Sequence, residues 1–141
     1  MSEVEADVVR VASSIPAMLA DHKAGPVDFS PESLRVIDAA LEEAGPYWAG
    51  LPEAELDALV QQFGCYVLEV AHRQFGGEYR WHADMHQPVL VLGEPDRHVV
   101  VATWDKIRRR LRDPADSISF FYEGIIERMA SAPPGDSALL A

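Results

Sequence analysis

The chain has 141 residues, 48% of them hydrophobic, and a formal net charge of −11. That is enough apolar material for one core, and too acidic for non-specific attachment to nucleic acid or an anionic membrane surface. A single cysteine, Cys65, excludes an internal disulfide, and the lack of any Cys-x-x-Cys or Cys/His ribbon excludes a structural zinc finger.

Val4 to about Asp21 carries Val8, Val11, Ile15, Met18 and Leu19 at helical spacing, with Pro16 expected to kink or split the helix. Gly25-Pro26 breaks the chain. Ser30, Pro31 and Glu32 then read as N-cap, first helical position and dipole-favoured acid of a second helix. Its apolar face is Leu34, Ile37 and Leu41, and Gly45-Pro46 is expected to end it, leaving Tyr47 to Gly50 as a connector. Leu51-Pro52-Glu53 opens the longest helix, which runs to about Phe75 with Leu56, Val60, Phe63, Val67 and Val70 in phase. Gly64 inside it points to a close packing contact, and Gly76-Gly77 to a left-handed cap.

Beyond the double glycine the period changes from about 3.6 to 2. Glu78 to Ala83 alternates, with Tyr79, Trp81 and Ala83 on one face. Gln87 to Leu92 and Arg97 to Thr103 are strands joined by a hairpin-type loop, Gly93 to Asp96. A short helix follows with Trp104, Ile107 and Leu111 inward and bases outward, and Asp113-Pro114 stops it. Asp116 or Ser117 caps a last helix whose expected buried stripe is Ile118, Phe121, Tyr122, Ile125, Ile126 and Met129. The expected fold is α+β: a three-stranded antiparallel sheet packed on a long central helix, flanked by N- and C-terminal helices. Residues 1–132 form one domain in this reading, and 133–141 a flexible tail. No apolar run is long enough to span a membrane and no signal segment opens the chain, so the expected address is cytoplasmic.

The charge is uneven. Residues 1–60 carry twelve acids against three bases, a net of −9; residues 61–141 carry eleven against nine, a net of −2. Five bases fall in Lys106 to Arg112, where Lys106, Arg108, Arg109 and Arg110 form a candidate contact surface for phosphate or acidic protein, unless the acidic half of the domain neutralises them. His82, Asp84 and His86 occupy alternate positions; an extended strand would aim all three one way as metal ligands, whereas a turn before Gln87-Pro88 would scatter them. Glu69 stands out as an acid in the apolar part of the long helix, three residues before His72 and four before Arg73. Cys65, mid-helix beside Tyr66, reads as a buried, inert thiol. No Gly-rich phosphate loop, Gly-x-Ser-x-Gly elbow or His-Glu-x-x-His is present, and no cofactor is implied.

Three segments carry a likeness. Asp28-Phe29-Ser30-Pro31-Glu32-Ser33-Leu34 precedes Ile37-Asp38; Gly64-Cys65-Tyr66-Val67-Leu68-Glu69-Val70 precedes Gly76-Gly77-Glu78-Tyr79; Asp116-Ser117 precedes Phe120-Phe121-Tyr122. Together they resemble the Gly-x-Tyr-x-x-Glu-Val … Gly-Gly-x-aromatic … Asp-Ser … Phe-Tyr pattern of a family of small bacterial domains of unknown function. Tyr79 stands where that pattern has tryptophan. The resemblance implies no activity. Two functions are therefore expected from the residues. The first is a non-enzymatic protein-interaction module of inhibitor or immunity type, meeting a basic partner through its acidic helical surface or an exposed strand edge, with the aromatics Tyr47 and Trp48 for the partner to bury and Glu69 as a further interaction residue. The second is a metal- or small-molecule-binding activity centred on Glu69, His72, His82 and His86.

Overall fold

The longest apolar rhythm in the chain becomes its spine, helix α4 (Glu53–Phe75). In the structure, a computed structural model that describes residues 2–141, every α4 residue from Phe63 to Ala71 is buried. A helix is buried on all sides only when partners surround it, and here α1, α3, α5 and strand β2 (Gln87–Leu92) all pack on α4. Gly64 is where the packing is tightest: a Cβ there would lie 2.5 Å from Trp104 Cδ1 and 3.0 Å from Thr103 Oγ1.

The N-terminal helix divides as its proline requires. Helix α1 (Glu3–Ala12) is capped by Ser2, whose hydroxyl accepts from Glu5 N–H, and α2 (Ser14–Met18) restarts with Pro16 in its first turn, where no helical N–H bond is lost. Val8, Ala12 and Ile15 bury this face. Ser30 caps a 3₁₀ turn, Pro31–Ser33, that leads into α3 (Leu34–Trp48). The expected stop at Gly45-Pro46 does not occur. Pro46 removes one N–H near the helix end, while Ala49 N–H still reaches Gly45 O at 2.8 Å. Gly45 instead lets α3 approach α5 (Trp104–Arg112): a Cβ there would lie 3.2 Å from Leu111 O. Tyr47 and Trp48 are thus helical rather than part of a connector, and Trp48 packs on Phe63 with ring centroids 5.6 Å apart.

Positive φ at Gly76 (75°) and Gly77 (94°) turns the chain from helix to strand, although Gly76, with ψ −136°, is not in the left-handed helical well. A Cβ on Gly77 would meet Val91 O at 2.6 Å. Strand β1 (Glu78–His82) pairs antiparallel with β2, and β2 with β3 (His98–Val101). The sheet does not end there. Strand β4 (Ser137–Leu140) pairs parallel with β3, Val99 opposite Ala138, so the sheet is four-stranded and mixed, in order β1-β2-β3-β4. The expected three-stranded antiparallel sheet is corrected by this strand, which comes from the stretch expected to be a tail. It is drawn in because β3 has a free row of backbone groups and the Arg97 guanidinium, His98 N–H and Asp96 O tie the approach: His98 N–H donates to Asp136 O at 2.9 Å, Gly135 N–H to Asp96 O at 2.6 Å, and Arg97 Nη1 to Met129 O at 3.1 Å. All six residues of β2 are buried; Leu90 and Leu92 join the main core, and Val89 and Val91 form a second cluster with Ala102. The stripe of α6 (Ile118–Ser131) is narrower than expected, with Ile118, Tyr122 and Ile125 buried and Ile126 partly exposed. No helix among the described residues is long and apolar enough to cross a membrane.

One side chain locks three helices. Asp38, on α3, accepts from the backbone N–H of Ile118 (2.8 Å) and Ser119 (2.9 Å) at the start of α6, from Ser117 Oγ (3.0 Å), and from Arg110 Nε of α5 (3.1 Å). Arg110 is only 4% exposed and also donates to Asp38 O. Burial pushes the Asp38 carboxyl up, but the Ser119 and Ile118 N–H groups and the Arg110 guanidinium outweigh it, and the net shift is downward. Asp38→Ala leaves a buried guanidinium unpaired and is expected to cost about 3–5 kcal/mol in urea unfolding at neutral pH. Because the folded-state pKa is depressed, the stabilisation is complete above the ordinary aspartate value of 3.8 and is lost as pH falls through the lower folded value. Asp38→Asn, which cannot titrate, is expected to show a shallower stability loss below that value than the parent chain.

Candidate functional site

The polar residues singled out in the sequence fall into three groups. The first is built around Glu69. Its Oε1 accepts from the Tyr79 hydroxyl at 3.0 Å and lies 3.2 Å from His72 Nδ1, while Oε2 accepts from Arg73 Nε at 3.0 Å. His72 Nε2 in turn is 3.8 Å from Glu5 Oε1 on α1. Arg73 stacks over the Phe29 ring, 4.0 Å from its centroid, and Phe29 stacks on Tyr66 at 4.6 Å. Phe29 holds a positive φ of 62°, which its N–H bond to Tyr66 Oη at 2.9 Å supports; Tyr66 Oη also meets Ser33 Oγ at 2.6 Å. Burial first, and then the Glu69 carboxylate, raise the Tyr79 hydroxyl pKa, so the phenol stays protonated and donates. Glu69 is therefore the acceptor at the centre of a clasp joining α4, β1, α1 and the Phe29 loop. The oxygens that would reach a ligand are already occupied.

The second group is the histidine turn. His82 closes β1, and its Nδ1 accepts from Met85 N–H at 3.2 Å. Asp84 is exposed in the following turn, and His86 takes φ 53° with its N–H on Ala83 O. The extended segment that would align the three side chains is replaced by this turn. His72 and Glu69 meet each other but neither His82 nor His86 joins them, and among the described residues no group of three His, Cys, Asp or Glu side chains is placed to hold a metal ion.

The third group is the basic segment. Lys106 and Arg109 both pair with Asp116, Arg108 pairs with Asp57, and Arg110 with Asp38. Desolvation, then the neighbouring Arg109, lower the Lys106 pKa. These bases pair with acids of their own chain: Lys106 and Arg110 are buried, while Arg108 and Arg109 stay partly exposed.

What faces water is acid. Glu42, Glu43, Glu53 and Glu55 are exposed at the corner where α3 hands over to α4, and Tyr47, 74% exposed, stands between them in the chain. Trp48, by contrast, belongs to the core wall against Phe63. Arg112 is the exposed base nearest this corner, lining a shallow hollow with Ala49 and Leu56. Sequence reasoning named no ion-pair role for Asp38 or Asp57, whose partners lie 72 and 51 residues away, and read Asp116 only as a candidate helix cap; the acidic bias of the chain was the one hint that the basic segment is neutralised internally. No protein-family model, curated protein or solved structure matches the chain.

Two outcomes are expected. Burial pushes the Cys65 thiol up to about 12, against a small lowering by Trp104 and Arg10, so Cys65 should stay unlabelled by a thiol-disulfide reagent at pH 8 in the folded protein and react in denaturant. A Glu69→Leu/Tyr79→Phe double-mutant cycle should show a coupling of about 1–3 kcal/mol in unfolding free energy, since Glu69→Leu leaves the buried Tyr79 hydroxyl without its acceptor and Tyr79→Phe removes one of the donors on the carboxylate.

Proposed function

We propose that the protein is a non-enzymatic interaction module that docks a basic protein, in the manner of small inhibitor or immunity-type domains. One observation carries this reading: eight of the twelve bases are paired within the fold, while exposed acids such as Glu42, Glu53 and Glu55 have no ion pair among the described residues. Arg10, Arg73, Arg80, Lys106, Arg108, Arg109, Arg110 and Arg128 each form an ion pair inside the chain. The net charge of −11 is thereby carried by outward carboxylates, which accelerate encounter with a positive surface and reject a negative one. Tyr47 at the α3–α4 corner supplies what charge alone lacks, a rigid amphipathic ring that a partner can bury. The exposed carboxylates Glu42, Glu43, Glu53 and Glu55 flank Tyr47 in the chain and supply the charge of that contact.

The test is capture of a basic protein from bacterial lysate on the immobilised chain at low salt, with release by about 0.3 M salt expected for a charge-steered contact. Tyr47→Ala is expected to weaken the captured complex by about tenfold or more, and replacing Glu42, Glu43, Glu53 and Glu55 by glutamine to slow association. Capture that both variants leave intact, or that salt does not release, argues against this surface.

A further inference from the structure

A cavity of about 480 Å³ lies between α1, the middle of α4, the β1–β2 turn and the first turn of α5, away from the α3–α4 corner. Its size suits a small organic ligand. The walls are mostly apolar: Val4, Val8 and Val11 come from α1, Cys65 from α4 and Pro88 from β2. Two indoles complete them. Trp81, paired across the strands with Pro88, is 55% exposed although it shares a strand face with buried Tyr79. An exposed tryptophan beside an apolar cavity is a surface available for stacking. Trp104 forms part of the opposite wall, and its ring edge is seated on Gly64, in the space a Cβ would fill.

The polar groups around the cavity decide the ligand's charge. Asp7 and Arg10 are 3.4 Å apart on α1 and neutralise each other. Gln61 and His86 also line the cavity. In the wall itself the Trp104 indole N–H is buried without a hydrogen-bond acceptor; it lies beside the Cys65 sulfur, a weak acceptor, without forming a well-aligned bond. Buried donors of this kind are normally paired. The Cys65 thiol holds its own proton and offers no charge.

We propose that this cavity binds a small, uncharged aromatic compound. The ring stacks on Trp81 and fills the valine-lined space, and the Asp7–Arg10 pair leaves no net charge for a ligand ion to balance, while the Trp104 N–H stays sealed in the wall against Gly64 and Cys65. The site is distinct from the Glu69 clasp and shares only His86 with the histidines of the sequence reading.

Acetophenone, toluene, benzoate and benzylamine present one ring with four kinds of substituent, and their binding is read by calorimetry and by the melting temperature of the full chain. Acetophenone is expected to bind and to raise the melting temperature, at least about tenfold more tightly than either charged compound. Toluene is expected to bind alongside acetophenone. Trp81→Ala should weaken both, while Tyr47→Ala should weaken neither, which separates this site from the docking corner. The proposal is overturned if neither acetophenone nor toluene binds, if benzoate or benzylamine binds more tightly than both, or if Trp81→Ala leaves their affinity unchanged.

Discussion

The fold depends on a carboxylate that neutralises a buried guanidinium and caps a helix at once. Arg110 cannot be buried in α5 without a partner, and α6 cannot begin inside the domain without acceptors for its first N–H groups. Asp38 meets both needs from a third helix, with the Arg110 Nε at 3.1 Å and the Ile118 N–H at 2.8 Å. The angle between α5 and α6 follows from that shared acceptor. So does the position of the chain when it leaves α6, close enough to β3 for residues 137–140 to pair with it. The hydrophobic core, to which α6 adds Ile118, Tyr122 and Ile125, supplies the driving force, and the polar lock joins the start of α6 to α3 and α5.

The same economy runs through the rest of the molecule. Glu69 is enclosed by a phenol, an imidazole and a guanidinium, and Lys106 by Asp116. Each buried charge is answered by a group of opposite charge, near in sequence for Glu69 and Lys106 and far for Arg110. Interior pairing and exterior field are two sides of one distribution. The acids not needed within the fold set the outward character on which the proposed docking rests.

Much of this architecture is legible in the residue pattern, because local forces write it. The α4 spine, the Ser30 cap with Pro31, and the hairpin between β2 and β3 follow from periodicity, capping chemistry and turn residues. The failures are tertiary. Gly45-Pro46 reads as a helix stop, yet α3 continues because Gly45 is selected for contact with α5. Ser137 to Leu140 is too short and too weakly patterned to read as a strand, and its partner β3 lies two helices earlier. Trp81 alternates in phase with Tyr79 but ends up half in water, because alternation fixes a face and not what covers it. Among the site residues, the i to i+4 bond from Glu69 to Arg73 is local and readable; the partners of Lys106, Arg108 and Arg110 are not, since ion pairing across the fold leaves no periodic trace.

Strand β4 has a consequence for how the molecule is made. Its partner β3 lies two helices earlier, so the outer rim of β3 stays open until α5 and α6 have packed and delivered residues 137–140. Until then the rim can recruit a strand from another unfinished copy, so misassembly during folding rises with the concentration of folding chains.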